Sequence, residues 1–215
     1  MKLVDLTVAS FVQEVDSKSP APGGGSVSSL MSAMGVALIR MVGHLTVDKK
    51  KFLALDPKIQ FEFKDIVKEL EIIKNEFIHL IDLDTEAFNL IVKAYQMPKN
   101  TEEENSLRKE KIQEGTMQAI MVPLKVATLS LSAMHQFDFI LKYGNKQTVS
   151  DLGVATLALS SGALGAIMNV MINLPGLEDE IARHQFENQI DTLSHHIEEV
   201  KDDLLKKVYL SLKTK

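Results

Sequence analysis

The 215-residue sequence contains no cysteine and no tryptophan. The first absence excludes disulfides, zinc-thiolate sites and a thiol nucleophile. Proline occurs six times and glycine 11 times, almost wholly at the edges of apolar-periodic segments. No series of short alternating runs marks a sheet. Only three arginines, Arg40, Arg108 and Arg183, stand in a chain of net charge -5. That balance is wrong for a surface that neutralises a row of nucleic-acid phosphates, so no nucleic-acid partner is expected. Six histidines and 29 acidic residues include no compact ligand set, and neither a metal nor a tightly bound cofactor is expected. At the amino terminus, Asp5 interrupts what would be the apolar core of a secretory signal, and a cytoplasmic location is expected. Charge is also missing from Leu152 to Leu177, a stretch long enough to cross a membrane. Its alanines, Ser160, Ser161, Asn169, Asn173 and Pro175 point instead to a buried central helix, so no membrane partner is expected.

What remains is a chain 45% hydrophobic and 25% charged, the composition of a packed globular protein. No linker divides it, and residues 1–215 read as a single all-α domain, an antiparallel bundle of about six long helices. The first covers Leu6 to Ser17, and the second runs from Ser26, its expected cap, to Val47. After Asp56-Pro57 a long helix runs to Met97. Its seam at Ile66, Leu70, Ile73, Phe77, Leu80, Asp84, Ala87, Ile91 and Ala94 alternates steps of four and three. The fourth spans Glu104 to Tyr143 with a bend expected at Pro123. The fifth spans Ser150 to Leu174, and the sixth Glu178 to Leu212.

Three features carry chemistry. Between Ser19 and Ser26, the consecutive Gly23, Gly24 and Gly25 expose backbone N–H groups at a helix start. Such a segment makes a tight turn or an anion nest. Asp84 is a carboxylate on an apolar seam, which requires either a salt bridge, with Arg108 or Arg40 as partner, or a cavity. On the fifth helix, Asp151, Ala155, Ala158, Gly162, Gly165, Asn169 and Asn173 share a face nearly free of side chains at its centre. That face suits either a flat ligand or close helix packing. Met31, Met34 and Met41 read as core filler, Arg40 and His44 as a shared structural face, and His195-His196 as solvated surface.

Taken together, SPAPGGGSVSSL, MVGHLTVDKKKF, DLDTEAFNLIVKAYQMPK, VPL, YGNKQTVSDLGVATLAL and NVMINLPGLED resemble the cyclodeaminase / methenyltetrahydrofolate cyclohydrolase family. That family includes the carboxy-terminal domain of formiminotransferase-cyclodeaminase. The resemblance implies an all-helical homodimer that binds a tetrahydrofolate derivative as substrate. It places substrate contacts at Gly23, Gly24, Gly25, Ser26, Lys50, Arg108, Asn145, Asn169 and Asn173, with the Lys49–Lys51 run toward the glutamate tail. Asp84 and Asp151 are the expected acid-base pair. His44 stands where the family pattern leads one to expect asparagine. The reaction implied is hydrolysis of 5,10-methenyltetrahydrofolate to 10-formyltetrahydrofolate. The alternatives are cyclodeamination of 5-formiminotetrahydrofolate, beside a separate formiminotransferase, and a non-catalytic folate-binding or assembly role.

Overall fold

The computed structural model describes residues 2–213, and Met1, Thr214 and Lys215 lie outside the described residues. A 3-10 turn, Leu3–Asp5, leads into α1 (Val8–Val15), α2 (Gly24–Val47) and the short α3 (Lys50–Leu53). The rest is α4 (Pro57–Tyr95), α5 (Glu102–His135), α6 (Phe137–Tyr143), α7 (Val149–Asn173) and α8 (Glu180–Lys213). No strand occurs among the described residues. Local signals account for the starts of the long helices. Asp56 caps α4 through the Lys58 N–H with Pro57 in the first turn, and Thr101 with Glu104 forms a capping box on α5.

Helices α2, α4, α5 and α7 form a ring in which α2 packs on α4 and α7, and α5 packs on the same two. Each neighbour runs antiparallel: Gly25 of α2 meets Asp84 of α4 while Arg40 meets Glu71, and Gly24 meets Asn169 of α7 while Gly35 meets Ala155. α8 lies across α7. The core is continuous, with Phe52, Phe63, Phe77 and Phe137 fully buried, each contributing about 1.5–3 kcal/mol of transfer free energy.

Several expected boundaries shift. The fourth helix breaks at Gln136 into α5 and α6. α5 runs without a boundary through Pro123, which the bundle tolerates for a reason found in α7 below. Lys50–Leu53 forms a helical turn of its own, seating Phe52 in the core. Of the α2 methionines expected as core filler, Met34 is instead 58% exposed on the outer surface, while Met31 and Met41 are partly buried. The small-residue face of α7 is consumed inside the chain. A side chain at Gly162 would stand 2.3 Å from Ser32 Oγ, and one at Gly35 would stand 2.7 Å from Leu159 Cγ. Close helix packing, not an open groove, is what those glycines provide. By length and composition Gly24–Val47, Glu102–Tyr143 and Lys146–Gly176 could each cross a membrane, and about half of each apolar window is buried inside the bundle.

Candidate functional site

Helix α2 starts at Gly24 with Gly23 at its cap position, and no side chain of its own segment bonds its first N–H groups. Ser26 is therefore not the cap but lies within the first turn. The acceptor comes from α4. Asp84 Oδ2 accepts the Ser26 N–H at 2.8 Å and lies 3.0 Å from Ser26 Oγ. The Ser26 hydroxyl in turn stands 2.9 Å from the Ile81 carbonyl oxygen and 3.3 Å from Thr85 Oγ1. A carboxylate at a helix N-terminus is favoured both by the free N–H groups and by the helix dipole.

The glycines make that approach possible. A Cβ at position 25 would stand 1.9 Å from Asp84 Oδ1, and one at position 24 would stand 2.9 Å from Asn169 Nδ2. The anion at this helix start is thus the protein's own. Asp84 pairs with neither expected arginine: Arg40 binds Glu71 at 3.1 Å and the Val67 carbonyl at 3.1 Å, and Arg108 lies elsewhere. Burial pushes the Asp84 carboxyl above its ordinary value, while the two bonds from Ser26 pull the other way. Its second oxygen, Oδ1, has no hydrogen-bond partner among the described residues and fills the space that a side chain at position 25 would take.

The two asparagines differ in role. Asn169 Nδ2 donates to the Gly165 carbonyl at 2.8 Å, holding the amide beside Gly24. Asn173 Nδ2 donates to the Asn169 carbonyl at 2.7 Å and to the Ala119 carbonyl at 3.2 Å. Ala119 is four residues before Pro123, whose missing N–H leaves that carbonyl without its helical partner. Asn173 supplies the substitute donor, which lets α5 continue through Pro123 and commits the donor end of its amide to structure.

The remaining candidates do not join this cluster. Asn145, Lys50 and Asp151 lie toward the other end of the bundle. The Asn145 N–H donates to Thr46 Oγ1 at 2.9 Å, near the last turn of α2. From Gly25 to Thr46 the axial rise is about 31 Å. A cleft of about 580 Å³ opens there, lined by Lys49, Lys50, Lys51, Lys142, Lys146 and Asn145 among others. Lys146 donates to the Leu141 carbonyl at 2.6 Å and the Lys142 carbonyl at 3.2 Å, and burial holds its ammonium below the usual range. Asp151 precedes Asn169 on α7 by about 27 Å of helix. Within one chain, therefore, Asp84 and Asp151 cannot approach a common substrate carbon, which corrects the expected pairing. Arg108 sits beyond Asp84, at the α4–α5 turn. Its guanidinium lies 5.4 Å from the Tyr95 ring centroid and donates to the Tyr95 carbonyl at 3.2 Å, with Nε buried and unpaired. His44 is exposed on α2. Among the described residues no three His, Asp or Glu side chains converge to hold a metal ion.

The family model for formiminotransferase-cyclodeaminase matches residues 7–192. The chain belongs to the formiminotransferase-cyclodeaminase family. Formimidoyltransferase-cyclodeaminase of Rattus norvegicus is 36% identical over 191 residues, 89% of this chain but 35% of that protein. The chain thus spans about a third of the length of such family members. Methenyltetrahydrofolate cyclohydrolase of Methylorubrum extorquens is 35% identical over 173 residues, 80% of this chain and 81% of that protein. Among solved structures, formiminotetrahydrofolate cyclodeaminase from Thermotoga maritima superposes with a TM-score of 0.78 at 27% identity, covering 98% of this chain and 97% of that one. The helical architecture of the family is therefore that of this chain.

Sequence reasoning found Asp84, the glycines and Asn169, but missed the Ile81 carbonyl and Thr85. No residue-type signal marks a carbonyl as a partner. Thr85 was visible only as the neighbour of a seam carboxylate.

Proposed function

We propose that this protein hydrolyses 5,10-methenyltetrahydrofolate to 10-formyltetrahydrofolate, with Asp84 as the proton-carrying group. The observation that carries the reading is a partly buried carboxylate at the start of α2 with one oxygen anchored by Ser26 and the other, packed against Gly25, without a hydrogen-bond partner among the described residues. Ionised, Asp84 takes a proton from the water that adds to the methenyl carbon, and its charge offsets that of the cation. Protonated, it returns the proton to N5 as the bond from carbon to N5 breaks. The adduct hydroxyl loses its own proton to water, leaving the formyl group on N10 and one proton released overall. One carboxylate acting first as base and then as acid needs no second one nearby.

The cyclodeaminase reaction is the second reading, favoured by the end-to-end likeness to the Thermotoga maritima enzyme. Here Asp84 accepts the N10 proton as N10 attacks the formimino carbon and returns it to the departing ammonia. A separate formiminotransferase would then supply the substrate. Incubation with each folate separately distinguishes the two: loss of the methenyl absorbance without ammonia release supports the first, and enzyme-dependent ammonia release supports the second. No acceleration of either leaves a binding role.

The assembly we infer is a homodimer. Met34, Leu45, Val154, Leu157, Met168 and Ile172 make an exposed, uncharged surface along α2 and α7, with Met168 67% and Ile172 78% exposed. A two-fold axis crossing α2 would run the partner's α2 antiparallel and set the lysine cleft of one chain near the site of the other. Met34→Asp combined with Met168→Asp is expected to reduce the light-scattering mass from twice 23.9 kDa to that of one chain. A single-chain mass for the unaltered protein at micromolar concentration would refute this assembly.

A further inference from the structure

The Ser26 hydroxyl carries one proton and has two good acceptors, the Ile81 carbonyl at 2.9 Å and Asp84 Oδ2 at 3.0 Å. It cannot serve both at once. The Ser26 backbone N–H, in contrast, bonds Oδ2 at 2.8 Å whichever way the hydroxyl turns. Thr85 Oγ1, at 3.3 Å, is placed to donate to the Ser26 oxygen and so fill the position the proton leaves. Ser26 itself is fully buried, while Asp84 and Thr85 are partly buried.

We propose that Ser26 is a positioning residue whose hydroxyl rotates with the charge of Asp84, donating to Oδ2 when the carboxylate is ionised and to the Ile81 carbonyl when it is protonated. The proton exchanged with substrate resides on Oδ1, and none passes through Ser26. The rotation gives each protonation state a hydrogen-bond partner without moving a helix, which suits a carboxylate that must accept a proton and return it within one cycle. This proposal rests on the functional reading of Asp84 above for its purpose, but not for its test.

Few other charges compete for control of this group. α2 brings no charged side chain near it before Arg40, α5 brings none between Glu114 and Lys125, and α7 brings none after Asp151. On α4 itself Asp82 Oδ1 accepts the Leu3 N–H at 2.7 Å, and Glu86 is exposed. On the amino-terminal segment Asp5 is exposed. The direction of the Asp84 shift, upward through burial and opposed by Ser26, agrees with a donor that favours the ionised form.

The test is carbon-13 NMR of the intact, substrate-free protein, labelled at aspartate carboxyl and isoleucine carbonyl carbons and assigned with Asp84→Asn. The expected result is that the Ile81 carbonyl resonance moves with pH at the same midpoint as the Asp84 carboxyl. In Ser26→Ala the Ile81 response disappears and the Asp84 midpoint rises by about one pH unit, the size expected for a lost hydrogen bond to a charged group. Ser26→Thr, which keeps the hydroxyl, restores both. An Ile81 resonance that stays constant through the Asp84 titration of the unaltered protein overturns the proposal, and that measurement needs no variant to fold. An unchanged Asp84 midpoint in folded Ser26→Ala overturns it equally. If the titrations behave as expected but neither folate is turned over, the rotor stands and the functional reading fails. If turnover is present, the acid limb of kcat/KM in Ser26→Ala shifts upward by the same amount as the NMR midpoint.

Discussion

Replacing Gly25 by alanine probes the central contact of this protein with a single methyl group. The new Cβ would lie 1.9 Å from Asp84 Oδ1 and 2.4 Å from Asp84 Cγ, closer than any non-bonded approach, so the carboxylate must leave the start of α2. It then loses the bonds from the Ser26 N–H and Oγ. Bonds to a charged group contribute roughly 1.5–3 kcal/mol each, for a gross loss of about 3–6 kcal/mol. Two effects offset this: the displaced carboxylate regains water, and alanine is favoured over glycine in a helix by about 1 kcal/mol. The net destabilisation expected is about 2–4 kcal/mol, a large part of an ordinary domain's stability. Urea unfolding followed by helical circular dichroism measures it, since no tryptophan is present to report by fluorescence. The decisive comparison is the same substitution in an Asp84→Ala background. There the methyl group meets no carboxylate, and Gly25→Ala becomes neutral or stabilising by up to about 1 kcal/mol. If the cost in the two backgrounds agrees within about 0.5 kcal/mol, the glycine is not there to admit Asp84, and the reasoning for the whole site fails.

Asp84→Asn is expected to lower turnover by about 100-fold or more without lowering stability at neutral pH. The sign follows from the raised carboxyl. The native state favours the protonated form, so the stabilising contribution is full below the ordinary value of 3.8 and is lost as pH rises through the folded value. Urea midpoints at pH 4, 6 and 8 should therefore show the variant gaining on the unaltered protein as pH rises, and a constant difference would contradict the upward shift. Asn173→Ala leaves the Ala119 carbonyl unpaired beside Pro123 and should cost about 1–3 kcal/mol. In a Pro123→Ala background, where the helix supplies its own N–H, the cost should fall below about 1 kcal/mol by the same unfolding assay. For the glutamate tail, Arg108 lies about 16 Å beyond Asp84 along α4, whereas the lysine cleft lies at the far end of α2. If the cleft of one chain serves the site of its partner, Lys50→Ala weakens polyglutamylated folate more than the monoglutamate, an effect that added salt diminishes. Equal affinities at low and moderate salt would remove Lys50 from the site.

The long helices were legible from residue order alone, because a four-and-three apolar rhythm and a proline after Asp56 are local properties of a chain. Motif order likewise sufficed to place the protein in its family. The same local reading singled out Asp84, since a carboxylate on an apolar seam always needs an explanation. What the explanation is depends on which helix packs against that seam, at what height and in which direction, and these are consequences of the whole bundle closing. Only the tertiary structure set Asp84 on the first turn of α2 instead of beside an arginine, and turned the glycine run from a nest for an external anion into clearance for two internal side chains. It also joined Asn173 to the Ala119 carbonyl freed by Pro123, a pairing between residues 54 apart that no periodicity encodes. Asp151 was separated from Asp84 for the same reason that it resembled a partner: both lie on core-directed helices, but a helix rises about 1.5 Å per residue, and antiparallel packing put them at opposite ends.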